Sequence, residues 1–162
     1  TRASMREIRQ FLAGRTTKPL IAGTLVEKLR EEARFLRDGM GLDVILESEP
    51  EDLDLSAETE REVYYVLREA LTNVIRHSHA SKVDIQLSQR NGQLAGSLID
   101  NGVGFNVVGQ DTGLGLPAME QRVKKIGGEL FVSSSPGSGT KIVFSVPRNP
   151  ESNDSALHPG TR

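Results

Sequence analysis

The sequence has no cysteine and a formal charge of only −2 over 162 residues. Without cysteine the chain has neither a disulfide framework nor a thiolate metal site, which is consistent with a reducing compartment. The small net charge gives no electrostatic reason to expect nucleic acid as a partner. Residues 1–20 lack the apolar core of a signal peptide, and no apolar run approaches the length of a membrane span. We therefore expect a soluble chain that makes no direct contact with membrane or nucleic acid.

Two common nucleotide-binding signatures are also missing. The sequence contains no GxxxxGK[ST] P-loop, and no strand–GxGxxG–helix unit with a downstream acid that would support a Rossmann site. His77 and His79 lie close together, but no third or fourth zinc ligand appears at a useful spacing. A zinc site built on these histidines is therefore not expected.

The hydrophobic pattern predicts a mixture of helices and strands. Apolar residues recur at helical spacing in four segments, around 5–12, 26–36, 63–74 and 116–126. They alternate as in strands in five segments, around 42–46, 83–87, 94–99, 130–132 and 142–146. This order predicts an α+β protein with a two-layer α/β sandwich, in which a mixed, mainly antiparallel sheet carries helices on one face.

Local signals mark where several of these elements begin and end. Thr24 and Glu27 form a capping-box pattern, and Ser56 is a suitable N-cap for the longest helix. We expect Gly39 and Gly41 to stop the preceding helix, and Pro117 to occupy the first position of the last one. The dipeptide at 91–92, Asn-Gly, predicts a tight hairpin turn.

Composition divides the chain into three parts. Residues 1–19 read as the stub of an upstream helix and its linker, and residues 20–147 as one domain. Residues 148–162 are polar and without periodicity, so we predict a disordered tail there.

The segment DNGVGF at 100–105 follows a predicted strand directly. Asp100 at the strand end can accept a hydrogen bond from an exocyclic amine. Gly102 and Gly104 would let the backbone approach a planar ring where a Cβ would clash. Asn or Asp followed by glycine is also ordinary turn chemistry, so a turn is the preferred explanation for this motif taken alone.

The long helix carries a polar strip. Glu69, Asn73 and His77 are spaced by four residues, so they lie on one side of a helix, with Arg76 beside them. A carboxylate can orient or deprotonate a nucleophile. A carboxamide oxygen is a suitable ligand for Mg²⁺, which retains several bound waters and bridges phosphate oxygens. Arg76 and His77 could offset phosphate charge. Taken alone, this strip is better explained as an exposed polar helix face.

A second glycine-rich segment, GLGL at 113–116, leads into the helix that begins near Pro117. Backbone N–H groups at such a helix start suit a phosphate, although a lone GLGL is better explained as a glycine-rich linker before an ordinary helix that begins with proline. Residues 105–112 would then form a short mobile lid over a nucleotide.

Together the segments REALTNVIRH (68–77), DNGVGF (100–105), GLGL (113–116) and GSGT (137–140) resemble the boxes of the GHKL ATP-binding fold. This Bergerat/GHKL ATPase fold is shared by sensor histidine kinases, gyrase, Hsp90 and the MutL proteins. The resemblance implies ATP and Mg²⁺ as cofactors, Glu69 as the catalytic acid or base and Asn73 as the Mg²⁺ ligand. It also implies nucleotide contacts from Arg76, His77, Asp100, Gly102, Gly104, Gly113, Leu114, Gly115, Leu116 and Thr140.

From about Leu20 to Pro147 the chain is most similar to the catalytic domain of two-component sensor histidine kinases, of the NarX and DesK type. This implies a phosphoacceptor histidine on a separate dimerisation helix, a response regulator downstream, and a cytoplasmic location, either free or as part of a membrane-bound sensor. Two alternatives stay open: a GHKL nucleotide switch such as an anti-sigma serine kinase, and an ATP-gated clamp of the MutL or gyrase kind.

Overall fold

The structure, a computed structural model, describes residues 4–13, 23–107 and 115–151. Over these ranges the helices are α1 (Met5–Leu12), α2 (Leu25–Met40), α3 (Ala57–Asn73) and α4 (Leu116–Lys125). A π-helical segment, Val74–Ser78, continues α3 and is called the π-turn below. The strands are β1 (Asp43–Glu49), β2 (Lys82–Arg90), β3 (Gln93–Asp100), β4 (Glu129–Ser134) and β5 (Thr140–Pro147). The predicted helices and strands are therefore found, and the π-turn is the unpredicted element.

The five strands form one mixed sheet in the order β1-β2-β3-β5-β4. Strands β1 and β2 are parallel and are connected through α3, whereas the other three pairs are antiparallel. Asn91 and Gly92 connect β2 to β3 with φ angles of 51° and 75°, the left-handed geometry that a tight hairpin requires. The predicted hairpin and the mainly antiparallel sheet are confirmed.

Helices α2, α3 and α4 pack on one face of this sheet. Along β3 the buried residues alternate, so that Leu94, Gly96, Leu98 and Asp100 face the helices. A Cβ at Gly96 would lie 2.1 Å from Cζ of Phe144, so the phenyl ring fills the space above this glycine. The predicted two-layer sandwich is confirmed. None of the helices in the described ranges is both long and apolar enough to cross a membrane.

The helix boundaries follow the capping signals closely. Thr24 and Glu27 form the predicted capping box, and the Ser56 hydroxyl accepts the Thr59 amide at 3.2 Å. Helix α2 nevertheless passes through Gly39, and only Gly41, at φ 68°, ends it as a left-handed cap.

Helix α4 and the segment after β5 both differ slightly from the expectation. The helix begins one residue earlier than predicted, because its first residue is Leu116 and not Pro117. After β5, the Arg148 amide donates to Gly92 and the Arg148 carbonyl accepts from Ser56. The chain therefore stays attached at the first residue of the predicted tail, whereas 152–162 lie outside the described residues.

Helix α1 packs against α2 and α3 through its last turn. Phe11 is buried and stacks on Phe35 with ring centroids 5.5 Å apart. The guanidinium of Arg68 donates to the Phe11 carbonyl at 3.1 Å, and that of Arg76 donates to the Leu12 carbonyl at 2.9 Å. Two arginines thus satisfy carbonyls that the end of α1 leaves without helical partners.

A buried polar cluster supports this junction. Glu32 Oε1 accepts hydrogen bonds from the Tyr64 hydroxyl at 2.6 Å and from Arg68 at 3.1 Å. Burial raises the pKa of the Glu32 carboxyl, and the Tyr64 hydrogen bond and the Arg68 charge only partly oppose that effect. Burial and the neighbouring carboxylate raise the pKa of Tyr64 to about 12. The phenol therefore remains a hydrogen-bond donor to Glu32 at neutral pH.

An ionic cluster fixes α4 against α3. The buried carboxylate of Glu62 accepts hydrogen bonds from Arg122 at 2.9 Å and Lys125 at 3.2 Å. Burial alone would raise the pKa of Glu62, but the hydrogen bonds and charges of these two residues outweigh it and hold the pKa below its ordinary value of 4.5. The ionised form of Glu62 is therefore stabilised by folding.

We expect Glu62→Gln to lower the free energy of unfolding at pH 7 by about 1–3 kcal/mol, the usual loss for hydrogen bonds to a charged group. Because folding depresses this pKa, the stabilisation is complete above the unfolded pKa near 4.5 and disappears as the pH falls through the lower folded pKa. Urea unfolding of both proteins between pH 3 and pH 7 measures this difference.

The matched control is Glu120→Gln, which removes an exposed i,i+4 ion pair between Glu120 and Lys124 within α4. That change should lower the free energy of unfolding by less than about 0.5 kcal/mol. Equal losses in the two variants, or a loss for Glu62→Gln that does not vary with pH, would contradict the assignment.

Candidate functional site

A cavity of about 250 Å³ lies among α3, the π-turn, the ends of β3 and β5, and the first residue of α4. Six of the residues that line this cavity were predicted as site residues: Asn73, His77, Asp100, Gly104, Leu116 and Thr140. The remaining lining residues are Ala70, Val74, Ser78, Leu98, Phe105, Asn106 and Ile142. A mostly apolar cavity with a few polar groups is the usual form of a small-molecule site.

Asp100 is the charged group in the wall of this cavity that is most deeply buried, with 4% of its surface exposed. Its Oδ1 accepts hydrogen bonds from the Ser78 hydroxyl at 2.9 Å and from the Gly102 amide at 2.8 Å. Both of the side-chain hydrogen bonds that Asp100 receives from described residues fall on this one oxygen. A carboxylate has further acceptor capacity on Oδ2, so Asp100 can accept another donor.

Asn101 secures the strand end that carries Asp100. Its side-chain oxygen accepts from the amides of Ser81 and Lys82 at 3.0 Å each, and its Nδ2 donates to the Ser81 hydroxyl at 2.9 Å. This side chain therefore fastens the end of β3 to the start of β2. The role of Asn101 is therefore structural, at the end of β3.

Gly102 and Gly104 are required by the packing of the protein itself. A Cβ at Gly102 would lie 1.9 Å from the Ser78 hydroxyl, and a Cβ at Gly104 would lie 2.1 Å from the Ser135 carbonyl. Gly104 also has a φ of 64°, which disfavours any residue with a side chain. The atoms that exclude a Cβ therefore belong to the protein, and these glycines let the loop pack against the π-turn and the β4–β5 turn.

The π-turn changes how the polar strip is presented. Spacing by four residues assumed an uninterrupted α-helix, but α3 ends at Asn73 and the wider turn follows. His79 then leaves the helix at φ 52°. Single π-helical turns are frequent at functional sites, and they change the direction of side chains relative to a regular α-helix. Here Asn73, His77 and Ser78 all line the cavity.

Glu69 lies beside the cavity and is not part of its wall. Gly115 has a φ of 65°, and a Cβ there would lie 2.7 Å from Oε1 of Glu69. The carboxylate thus lies against the start of α4, where Leu116 contributes to the wall. The first amides of a helix have no helical acceptors and can bind an anion. Gly113 and Leu114, also predicted as site residues, lie outside the described residues.

Arg76 is not brought to the cavity. Its guanidinium donates to the Leu12 carbonyl at the end of α1. The spacing that placed it beside the polar strip could not reveal this, since the acceptor is 64 residues away in sequence.

Thr140 is held by a residue that the sequence pattern did not suggest. The Ser134 hydroxyl donates to the Gly139 carbonyl at 2.8 Å and lies 3.0 Å from the Thr140 hydroxyl. Since Ser134 has one hydroxyl proton, Thr140 donates to Ser134 and keeps its own lone pairs available. The Phe105 amide also donates to Ser134, at 2.9 Å. Ser134 therefore joins the loop after Asp100 to the start of β5.

The chain is similar to curated sensor proteins. It is 37% identical to the sensor histidine kinase LiaS of Bacillus subtilis, over 74% of this chain and 36% of the relative. It is 34% identical to the sensor protein VraS of Staphylococcus epidermidis, over 66% of this chain and 31% of the relative. The chain thus spans about a third of the length of these curated relatives.

Among solved structures, the fold matches the blue-light activated histidine kinase EL346 of Erythrobacter litoralis. The TM-score is 0.67 at 24% identity, over 91% of this chain and 49% of that one. At this identity the likeness establishes the shared fold.

A family model described as histidine kinase-, DNA gyrase B- and HSP90-like ATPase matches residues 58–150. This range covers more than half of the chain and includes all of α3 except its first residue, the π-turn, α4 and the four strands β2 to β5. It therefore contains every residue that lines the cavity described above. The chain belongs to the histidine kinase-, DNA gyrase B- and HSP90-like ATPase family.

Proposed function

We propose that this chain is the ATP-binding catalytic part of a sensor histidine kinase and presents MgATP for transfer of the γ-phosphoryl group to a histidine on a separate dimerisation helix. The observation that carries the proposal is the buried carboxylate of Asp100 in a cavity that also contains Asn73 and His77. Membership of an ATPase family and similarity to two sensor proteins, LiaS and VraS, support it.

The adenine ring is proposed to enter the apolar part of the cavity, between Ala70, Leu98 and Ile142. Its exocyclic amine would donate to Asp100 there, with the Thr140 hydroxyl as a second polar contact. Guanine carries a carbonyl oxygen at that ring position, which is an acceptor and cannot donate to a carboxylate. ATP should therefore be preferred over GTP.

The phosphates are proposed to lie toward Asn73, His77 and the start of α4. The described residues contain no cluster of three His, Cys, Asp or Glu side chains that would form a metal site by itself. Mg²⁺ fits this chemistry, since it keeps several waters and binds through phosphate oxygens with one or two protein ligands. The Asn73 carboxamide is the proposed ligand, and the ion would neutralise charge on the triphosphate.

Transfer of the phosphoryl group forms a bond between phosphorus and an imidazole nitrogen and breaks the bond to the β–γ bridging oxygen, so that ADP leaves with the electron pair. The attacking imidazole must lose its N–H proton. Glu69, next to the start of α4, is the proposed acid or base that orients this nucleophile or accepts the proton. Positioning and charge stabilisation supply most of the rate in such reactions.

The remaining assignments follow from the same proposal. Residues 20–147 would form the catalytic domain and 1–19 the end of an upstream helix with its linker, within a cytoplasmic kinase of the NarX and DesK type. A response regulator would receive the phosphoryl group afterwards. The order and short spacing of the four sequence motifs support this subfamily. The names of the relatives favour the kinase over a nucleotide switch or an ATP-gated clamp.

Asp100→Ala should weaken ATP binding by about 10- to 100-fold, because the exocyclic amine would lose its acceptor in a buried site. Isothermal calorimetry with ATP and GTP measures the effect. Asp84→Ala is the matched control, since Asp84 lies on β2 and is paired with Lys82 away from the cavity. Unchanged ATP affinity in Asp100→Ala would rule out Asp100 as the adenine acceptor.

Two neighbouring variants on the long helix should separate binding from chemistry. Asn73→Ala should reduce the Mg²⁺-dependent part of ATP affinity, measured by titration with and without the metal. Glu69→Gln should bind ATP normally and lose phosphoryl transfer by about 100-fold or more, measured in the full-length kinase. Transfer near the wild-type rate in Glu69→Gln would remove this residue from catalysis.

The chain incubated alone with MgATP should bind the nucleotide without acquiring stable phosphohistidine. Its three histidines are His77, His79 and His158, and His77 lines the cavity itself. An imidazole must be held in line with the γ-phosphorus to react quickly. Intact-mass measurement with acid-labile phosphate as the readout tests this. Stoichiometric labelling that disappears in His158→Ala would favour a self-contained kinase.

A further inference from the structure

Ser78 is a buried polar residue for which the sequence motifs assign no role. Its hydroxyl donates to Asp100 Oδ1 at 2.9 Å, and 7% of its surface is exposed. We propose that Ser78 is a positioning residue that fixes the Asp100 carboxylate in the orientation that reads the exocyclic amine of adenine. This inference rests on the proposed ATP function and deepens it, since it concerns how that site selects its base.

The π-turn is what brings Ser78 to Asp100. Helix α3 has its last α-helical residue at Asn73, and Ser78 is the last residue of the wider turn. A π-helical turn takes up an extra residue, so it rotates Ser78 relative to its place on a regular α-helix. The serine hydroxyl consequently faces the end of β3, at the same wall that carries Asn73 and His77.

Proton counting explains why the orientation matters. The Ser78 hydroxyl has one proton and gives it to Oδ1, and the Gly102 amide gives a second one to the same oxygen at 2.8 Å. With two donors on Oδ1, the carboxylate cannot rotate freely about its side-chain bonds. Oδ2 is then held ready for a donor such as the 6-amino group of adenine.

The contacts of Ser78 separate its side chain from its backbone. The Val103 amide donates to the Ser78 carbonyl at 2.8 Å, so the loop after Asp100 is attached to the π-turn without the hydroxyl. Replacing Ser78 by alanine removes only Oγ and leaves that backbone hydrogen bond possible. The Gly102 amide also continues to hold Asp100. The variant should therefore retain the fold and lose one of two constraints on the carboxylate.

The test compares ATP with purine riboside triphosphate, which lacks the 6-amino group. Calorimetry should show that the wild-type chain prefers ATP. In Ser78→Ala, ATP should bind about 3- to 30-fold more weakly, the range for the indirect loss of one hydrogen bond to a carboxylate. Binding of the analogue should stay the same, so the ratio of the two affinities should fall by the same factor.

Two further variants make the comparison specific. Ser81→Ala removes a hydroxyl that is bonded to Asn101 in the same region but not to Asp100, and it should leave the ratio unchanged. Ser78→Cys keeps a weak S–H donor and should give an intermediate ratio. It also carries the test if Ser78→Ala does not fold.

The possible results distinguish the two levels of the proposal. Equal weakening of both nucleotides in Ser78→Ala would indicate a purely structural residue, and unchanged affinities for both nucleotides would show that Ser78 does not orient Asp100. Either result overturns this inference alone, provided that the wild-type chain prefers ATP. If the wild-type chain bound neither nucleotide, or bound both equally, the proposed reading of adenine by Asp100 would fail first.

Discussion

The site depends on one constraint, which is that a carboxylate buried at the end of a central strand must be hydrogen-bonded. An isolated buried charge is unfavourable, so Asp100 is tolerated because neighbouring segments supply donors to it. Ser78 comes from the π-turn and Gly102 from the loop that follows β3. The glycines at 102 and 104 are needed so that these segments can approach each other. The loop geometry and the carboxylate therefore require one another.

Much of the fold could be predicted because its signals are local. A capping box involves residues three positions apart, and the hairpin at 91–92 needs only two residues with positive φ. Strand alternation likewise follows from one buried face of the sheet. The π-turn has no such signal, since nothing in the spacing of Asn73 and His77 distinguishes it from an α-helix. Hydrogen bonding to the loop after β3, at Ser78 and Val103, stabilises the end of this segment.

The candidate site was predicted only in part, for the same physical reason. Motif order identified six of the residues that line the cavity, including Asn73, Asp100 and Thr140. It could not identify Ser78 or Ser134, because isolated serines occur throughout any sequence and their roles depend on distant partners. Arg76 is the opposite case, a predicted residue that does not line the cavity. Its place beside the polar strip suggested a contact with phosphate, whereas its guanidinium donates to a carbonyl at the end of α1.

The long helix with its π-turn consequently serves four partners at once: the sheet, α4, α1 and the cavity. One side buries apolar residues such as Leu67 and Leu71 against the sheet, and Glu62 near the other end fixes α4. On the side toward α1, Arg68 and Arg76 donate hydrogen bonds to carbonyl groups at the end of α1. The cavity side presents Asn73 and the residues of the π-turn. Neighbouring positions on one helix necessarily point in different directions, so an assignment from sequence spacing holds only while the helical period is constant. The wider turn changes that period at the point where α3 reaches the cavity.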